Sequence, residues 1–116
     1  MKILITGGSG VIGSKFVKFF QKEGHGIYYT FLNNNHQIGP VAAHKLDISD
    51  RDVTISLIKK INPDIVIHTS ALTNVDLCET NHDLADKINV EGTRNVIDGC
   101  KETNSKVIYI STSFVF

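Results

Sequence analysis

Gly7, Gly10 and Gly13, with Gly8 beside the first, fall in the run Thr6-Gly7-Gly8-Ser9-Gly10-Val11-Ile12-Gly13, just after a short apolar stretch and at the opening of one with helical period. Residues without a Cβ suit a particular chemistry. They permit a tight turn at Gly7 or Gly8, let the backbone at Gly10 approach a pyrophosphate, and let a helix pack closely on a strand at Gly13. The helix that follows presents free N–H groups to the anion. The turn therefore reads as a dinucleotide fingerprint formed by Gly7, Gly8, Ser9, Gly10, Val11, Ile12 and Gly13. A nucleoside-triphosphate loop would need Gly-Lys followed by Ser or Thr. Here Gly13 is followed by Ser14 and then Lys15, which puts the lysine out of register for the phosphates.

In NAD-binding turns of this kind a carboxylate about twenty residues further on, at the end of the second strand, holds the ribose 2′-OH. The corresponding stretch reads Thr30-Phe31-Leu32-Asn33-Asn34 and contains no acid. Nothing there would repel a 2′-phosphate, and no Arg or Lys is there to pair with one. The pattern tilts toward NADP and leaves NAD open, with Thr30 and Asn33 as the polar contacts. The histidines (His25, His36, His44, His68, His82) and the cysteines (Cys78, Cys100) lack the spacing of a metal or redox site. No metal is expected; the histidines read as ordinary scattered residues and the thiols as buried ones.

These residues need a scaffold, and the hydrophobic pattern supplies one. Short β-rich runs alternate with segments of helical period, the pattern of βαβ units and so of a parallel sheet covered on both faces. Residues 2–6, 26–31, 41–46, 64–68 and 107–111 read as five strands. A helix spans 11–23, with Ile12, Phe16, Phe19 and Phe20 at steps of three and four, stopped by Gly24 and Gly26. Another starts from Ser49 as its cap, with Asp52 approximating a capping-box partner, and ends at Asn62-Pro63. Residues 74–103 are helical in one or two pieces, with Leu84, Ile88, Val96 and Cys100 spaced for burial. The fold class is α/β, a Rossmann-type doubly wound sheet.

At 116 residues the chain has room for one domain, and 41% hydrophobic content is enough for a core. Twelve basic side chains balance twelve acidic ones, so no field attracts nucleic acid or an anionic membrane. The apolar runs are too short for a membrane span or a signal-peptide core, and a cytoplasmic protein with a small-molecule partner is expected.

The turn resembles the Thr-Gly-x-x-Gly-x-x-Gly motif of the extended short-chain dehydrogenase/reductases. The blocks running from Pro63 to Glu79, from Ile88 to Thr93 and from Tyr109 to Phe116 resemble successive segments of dTDP-4-dehydrorhamnose reductases. That resemblance implies reduction of the 4-keto group of a nucleotide-linked deoxysugar by hydride from a nicotinamide cofactor. It implies further that Leu46, Asp47 and Ile48 pack on the adenine, with Asp47 meeting its exocyclic amine, and that Ser70, Ala71 and Leu72 flank the cofactor. By the same resemblance Asn89 ties a helix to the neighbouring strand and orders a proton path, and Thr112 hydrogen-bonds the reacting carbonyl. Asp76 and Glu79, three apart on a helix, read as a solvated face.

Two departures accompany the likeness. Ser113-Phe114 stands where the family often has Asp-Tyr, removing a carboxylate and a phenol from the substrate side. The Tyr-x-x-x-Lys pair that protonates the sugar oxygen lies beyond the fifth strand in this family, so residues 1–116 are expected to be inactive alone. A second implied role is a non-catalytic NADP-binding subunit similar to the companion of methionine adenosyltransferase. The apolar edge from Val107 to Phe116 is expected to drive dimerisation or aggregation.

Overall fold

The computed structural model describes residues 1–7, 11–31, 42–69 and 82–110, with backbone alone at 11–12 and 82–89. Its elements in chain order are β1 (Lys2–Thr6), α1 (Val11–Lys22), β2 (Gly26–Phe31), β3 (Ala42–Lys45), α2 (Arg51–Ile61), β4 (Ile65–His68), α3 (His82–Thr103) and β5 (Lys106–Tyr109). The strands form one parallel sheet in the order β3-β2-β1-β4-β5.

Handedness then assigns the helices. The step from β1 to β2 runs one way across the sheet, while the steps from β3 to β4 and from β4 to β5 run the other. Right-handed crossovers therefore place α1 on one face and α2 with α3 on the opposite face. Strand alternation sorts the side chains to match. Ile3, Ile5, Ile27, Tyr29 and Ile67 pack with Val17, Phe16 and Phe20 of α1. Leu4 and Val66 pack with Ile58 and Ile61 of α2 and with Val96 and Cys100 of α3. The expected burial of Val96 and Cys100 is thus met, whereas the side chains of Leu84 and Ile88, like Cys78, lie outside the description.

Several boundaries differ from those read in the sequence. β3 ends a residue earlier, at Lys45, and Val41 falls outside the described residues. β5 starts a residue earlier, and Ser111 falls outside the described residues. The helical stretch is one piece from His82, and residues 70–81 are not described. The cap of α2 is Asp50, not Ser49. The Asp50 carboxylate accepts from the Val53 amide at 3.3 Å, while Ser49 directs both its amide and its hydroxyl to Asp47 Oδ1, at 3.0 and 2.6 Å. At the far end Asn62, in the left-handed region, closes the helix by donating to Ile58 O, and Pro63 prevents its continuation.

Two contacts set how α3 lies. A Cβ on Gly92 would stand 2.5 Å from Ile48 Cδ1, and one on Gly99 would stand 2.8 Å from Ile58 Cδ1, so these glycines let α3 approach α2 and the β3–α2 connection closely. Arg51 then bridges the two helices, donating to Asp98 at 2.6 Å and Asn95 at 3.4 Å. That hydrogen bond holds the Asp98 carboxyl below the usual carboxylate range.

Asp64 joins three neighbouring strands at their amino ends. Its carboxylate accepts from the Lys2 amide at 2.8 Å, its own amide donates to Lys2 O, and its carbonyl accepts from the Lys106 amide.

Candidate functional site

In a parallel sheet every strand ends at the same edge, and the order reverses between β1 and β4, so the crevice of this fold opens beyond Thr6 and His68. Gly7 leaves β1 there with φ +70, a conformation that a side chain would strain, and α1 begins at Val11, within reach of the same opening. Gly13 is buried in the first turn of α1. Gly8, Ser9 and Gly10 lie outside the described residues, and of Val11 and Ile12 only the helical backbone is described.

The turn is held from behind by hydroxyls. Thr30, expected to face the cofactor, is buried in β2, and its hydroxyl is engaged by the Gly7 amide, from which it accepts at 3.2 Å. Thr69 donates through its amide to Thr6 Oγ1 at 3.1 Å and through its hydroxyl to Thr6 O. Asn33, the other expected contact at this end, is outside the described residues.

Beyond β3 the segment Leu46-Asp47-Ile48 divides its work. Leu46 and Ile48 are buried in the core with α2 and α3, so their side chains are unavailable to an adenine. Asp47 is exposed and offers a carboxylate, one oxygen of which already accepts from Ser49. Asn95, which the sequence reading passed over, donates to Ile48 O at 2.8 Å and anchors this segment to α3. Asn89 belongs to α3 by its backbone, and its side chain is not described. Ser70, Ala71, Leu72 and Thr112 are also outside the described residues, as are Asp76 and Glu79.

His68 corrects the view of the histidines as scattered. Its ring is fully buried at the carboxyl end of β4, with Nδ1 at 2.7 Å from Thr6 Oγ1 and Nε2 at 3.1 Å from Thr93 Oγ1 on α3. Burial lowers its pKa from 6.5 to about 4, so the ring is neutral near pH 7. The Tyr109 ring of β5 lies 5.6 Å away. Among the described residues no group of three His, Cys, Asp or Glu could hold a metal ion, and no helix is long and apolar enough to cross a membrane. Burial pushes the Cys100 thiol up to about 11, which leaves it protonated and unsuited to nucleophilic work.

A parallel sheet of this order, with a glycine turn leaving β1 at the point of reversal, defines the Rossmann-type class of α/β proteins. Residues 1–116 match the family model described as RmlD substrate binding domain, and the chain belongs to that family, within the extended short-chain dehydrogenase/reductases. Over 116 residues it is 28% identical to the probable low-salt glycan biosynthesis reductase Agl14 of Haloferax volcanii, covering 100% of this chain and 38% of that protein. Over 115 residues it is 27% identical to the dTDP-4-dehydrorhamnose reductase of Aggregatibacter actinomycetemcomitans, covering 99% and 36%. The UDP-glucose 4-epimerase of Stenotrophomonas maltophila, solved with bound NAD and formylated UDP-arabinopyranose, shares the fold with a TM-score of 0.83 at 23% identity, over 99% of this chain and 38% of that one. The chain thus spans little more than a third of the length of these relatives.

Proposed function

We propose that this chain is the cofactor-binding part of an NAD(P)-dependent oxidoreductase of the dTDP-4-dehydrorhamnose reductase type, acting on the 4-keto group of a nucleotide-linked deoxysugar. The observation that carries the reading is the turn at Gly7, which starts at the sheet's point of reversal and leads into the amino end of α1. A diphosphate bridge suits that place, since amide donors and a helix terminus complement its charge without a cation.

On this reading the amides around Gly10 bind the diphosphate, and Gly13 keeps α1 close to β1. Asp47 accepts from the adenine amine, while Ser70, Ala71 and Leu72 leave room along the cofactor. Thr112 donates to the ketone oxygen as negative charge develops there, and Asn89 orders the proton path. The cofactor, when bound, supplies the hydride; the proton comes from a general acid outside residues 1–116.

Calorimetric titration with NADPH and with NADH tests the reading. Saturable binding of at least one is expected, with the affinity of Gly10→Val lower by tenfold or more, on the order of 1.4 kcal/mol, because a branched Cβ blocks the approach of the diphosphate. Absence of binding by both, or an unaltered affinity in folded Gly10→Val, would overturn it. Binding without turnover in a protein as long as the relatives would leave the companion-subunit role.

A further inference from the structure

The buried polar network behind the turn has a direction. Thr6 Oγ1 accepts from the Thr69 amide at 3.1 Å and has His68 Nδ1 at 2.7 Å. A backbone amide takes no proton, so the Thr6 hydroxyl satisfies its own hydrogen by donating to Nδ1. Withholding it would leave a donor stranded in a fully buried position. With Nδ1 an acceptor, the ring's proton sits on Nε2 and is donated to Thr93 Oγ1 at 3.1 Å. Three elements are linked by this chain: β1 at the residue before the turn, β4 at its last residue, and α3 near its middle.

We propose that His68 is a positioning residue for the dinucleotide turn, its neutral Nε2–H ring fixing Thr6 of β1 against Thr93 of α3. The inference rests on the reading of the turn as a dinucleotide site and adds the group that aims it. Thr6 is the residue from which the chain enters Gly7, and its ties to Thr69 run to the end of β4. His68 alone carries the connection on to α3 among the described contacts of Thr6. An imidazole does this better than an amide side chain would, because its two nitrogens point in opposite directions across one rigid ring and can serve an acceptor and a donor role at once.

Long-range proton–nitrogen correlation on the ring of His68 in the unliganded protein at pH 7 should show the Nε2–H tautomer; the Nδ1–H tautomer or a charged ring overturns the proposal. The functional arm uses Thr93→Val, which is near in shape and leaves His68 in place. NADPH and NADH affinity should fall about threefold to tenfold, the range of one hydrogen bond, with the thermal transition still cooperative. Thr6→Val should lower affinity similarly, and the double variant should lose no more than the worse single one, since cutting either end releases the same bridge. If the unaltered protein binds a dinucleotide while Thr93→Val binds it equally well, or if the two losses simply add, the positioning role fails alone. If the unaltered protein binds neither dinucleotide, the function proposed above fails and takes this role with it, whatever the tautomer.

Discussion

Burial of the His68 ring keeps it neutral down to about pH 4, whereas in an unfolded chain the same ring takes up a proton near pH 6.5. Between those values the unfolded state binds more protons, so stability is full above about pH 6.5 and declines as the pH falls toward 4. This loss amounts to about 3 kcal/mol at most. Urea midpoints of the protein and of His68→Gln, measured from pH 7 to 4.5, should converge as the pH drops; a constant gap would contradict the neutral ring. The sequence made the glycine turn legible, because spacing and flanking pattern together specify it, but it hid His68. A histidine closing a β-rich run looks like any other until strand pairing sets it beside Thr6 and helix packing brings Thr93 to its far side. Thr30 illustrates the same limit, since register alone decides whether its hydroxyl serves a ligand or the turn.

The close approach of α3 to α2 and to the β3–α2 connection depends on two positions with no side chain, Gly99 and Gly92. Gly99→Ala gains about 1 kcal/mol of helix propensity. Its Cβ, however, would sit 2.8 Å from Ile58 Cδ1 and 3.4 Å from Ile55 Cα, and such overpacking costs about 1–3 kcal/mol. A net loss of about 1 kcal/mol is expected from denaturant unfolding, taking the two figures together. Ile58→Val removes the clashing Cδ1, so the pair should lose less than the two changes summed. Helix existence was readable from the apolar period in each case, and helix ends less so. Ser49 and Asp50 are both able to cap, and the choice falls to Asp50 because the Asp47 carboxylate draws Ser49 away, a competition that no local rule states. The glycines in α3 carried no such signal either, because their partners, Ile48 and Ile58, are distant in sequence.

Alternation of strands and helices sufficed to give a parallel sheet, while the strand order follows from crossover handedness only once each helix is assigned a face. One edge of that sheet is β5, where Ile108 is 45% and Tyr109 48% exposed, and Val90 and Ile97 of α3 are exposed as well. An apolar edge of this kind favours association. Residues 1–116 alone should sediment as dimers or larger species, and Ile108→Lys should shift them toward monomer; a monodisperse unaltered monomer would refute this. On the proposed function the same 116 residues should show no reduction of a nucleotide-linked 4-keto sugar with NADPH or NADH, and measurable turnover would place a general acid within them. Asp64, by contrast, fastens β1, β4 and β5 at the opposite rim, where no ligand is expected. The β1–β4 pair is thus pinned at both rims, by Asp64 at one and by Thr6, His68 and Thr69 at the other, so an arriving dinucleotide would meet a mouth already braced in shape.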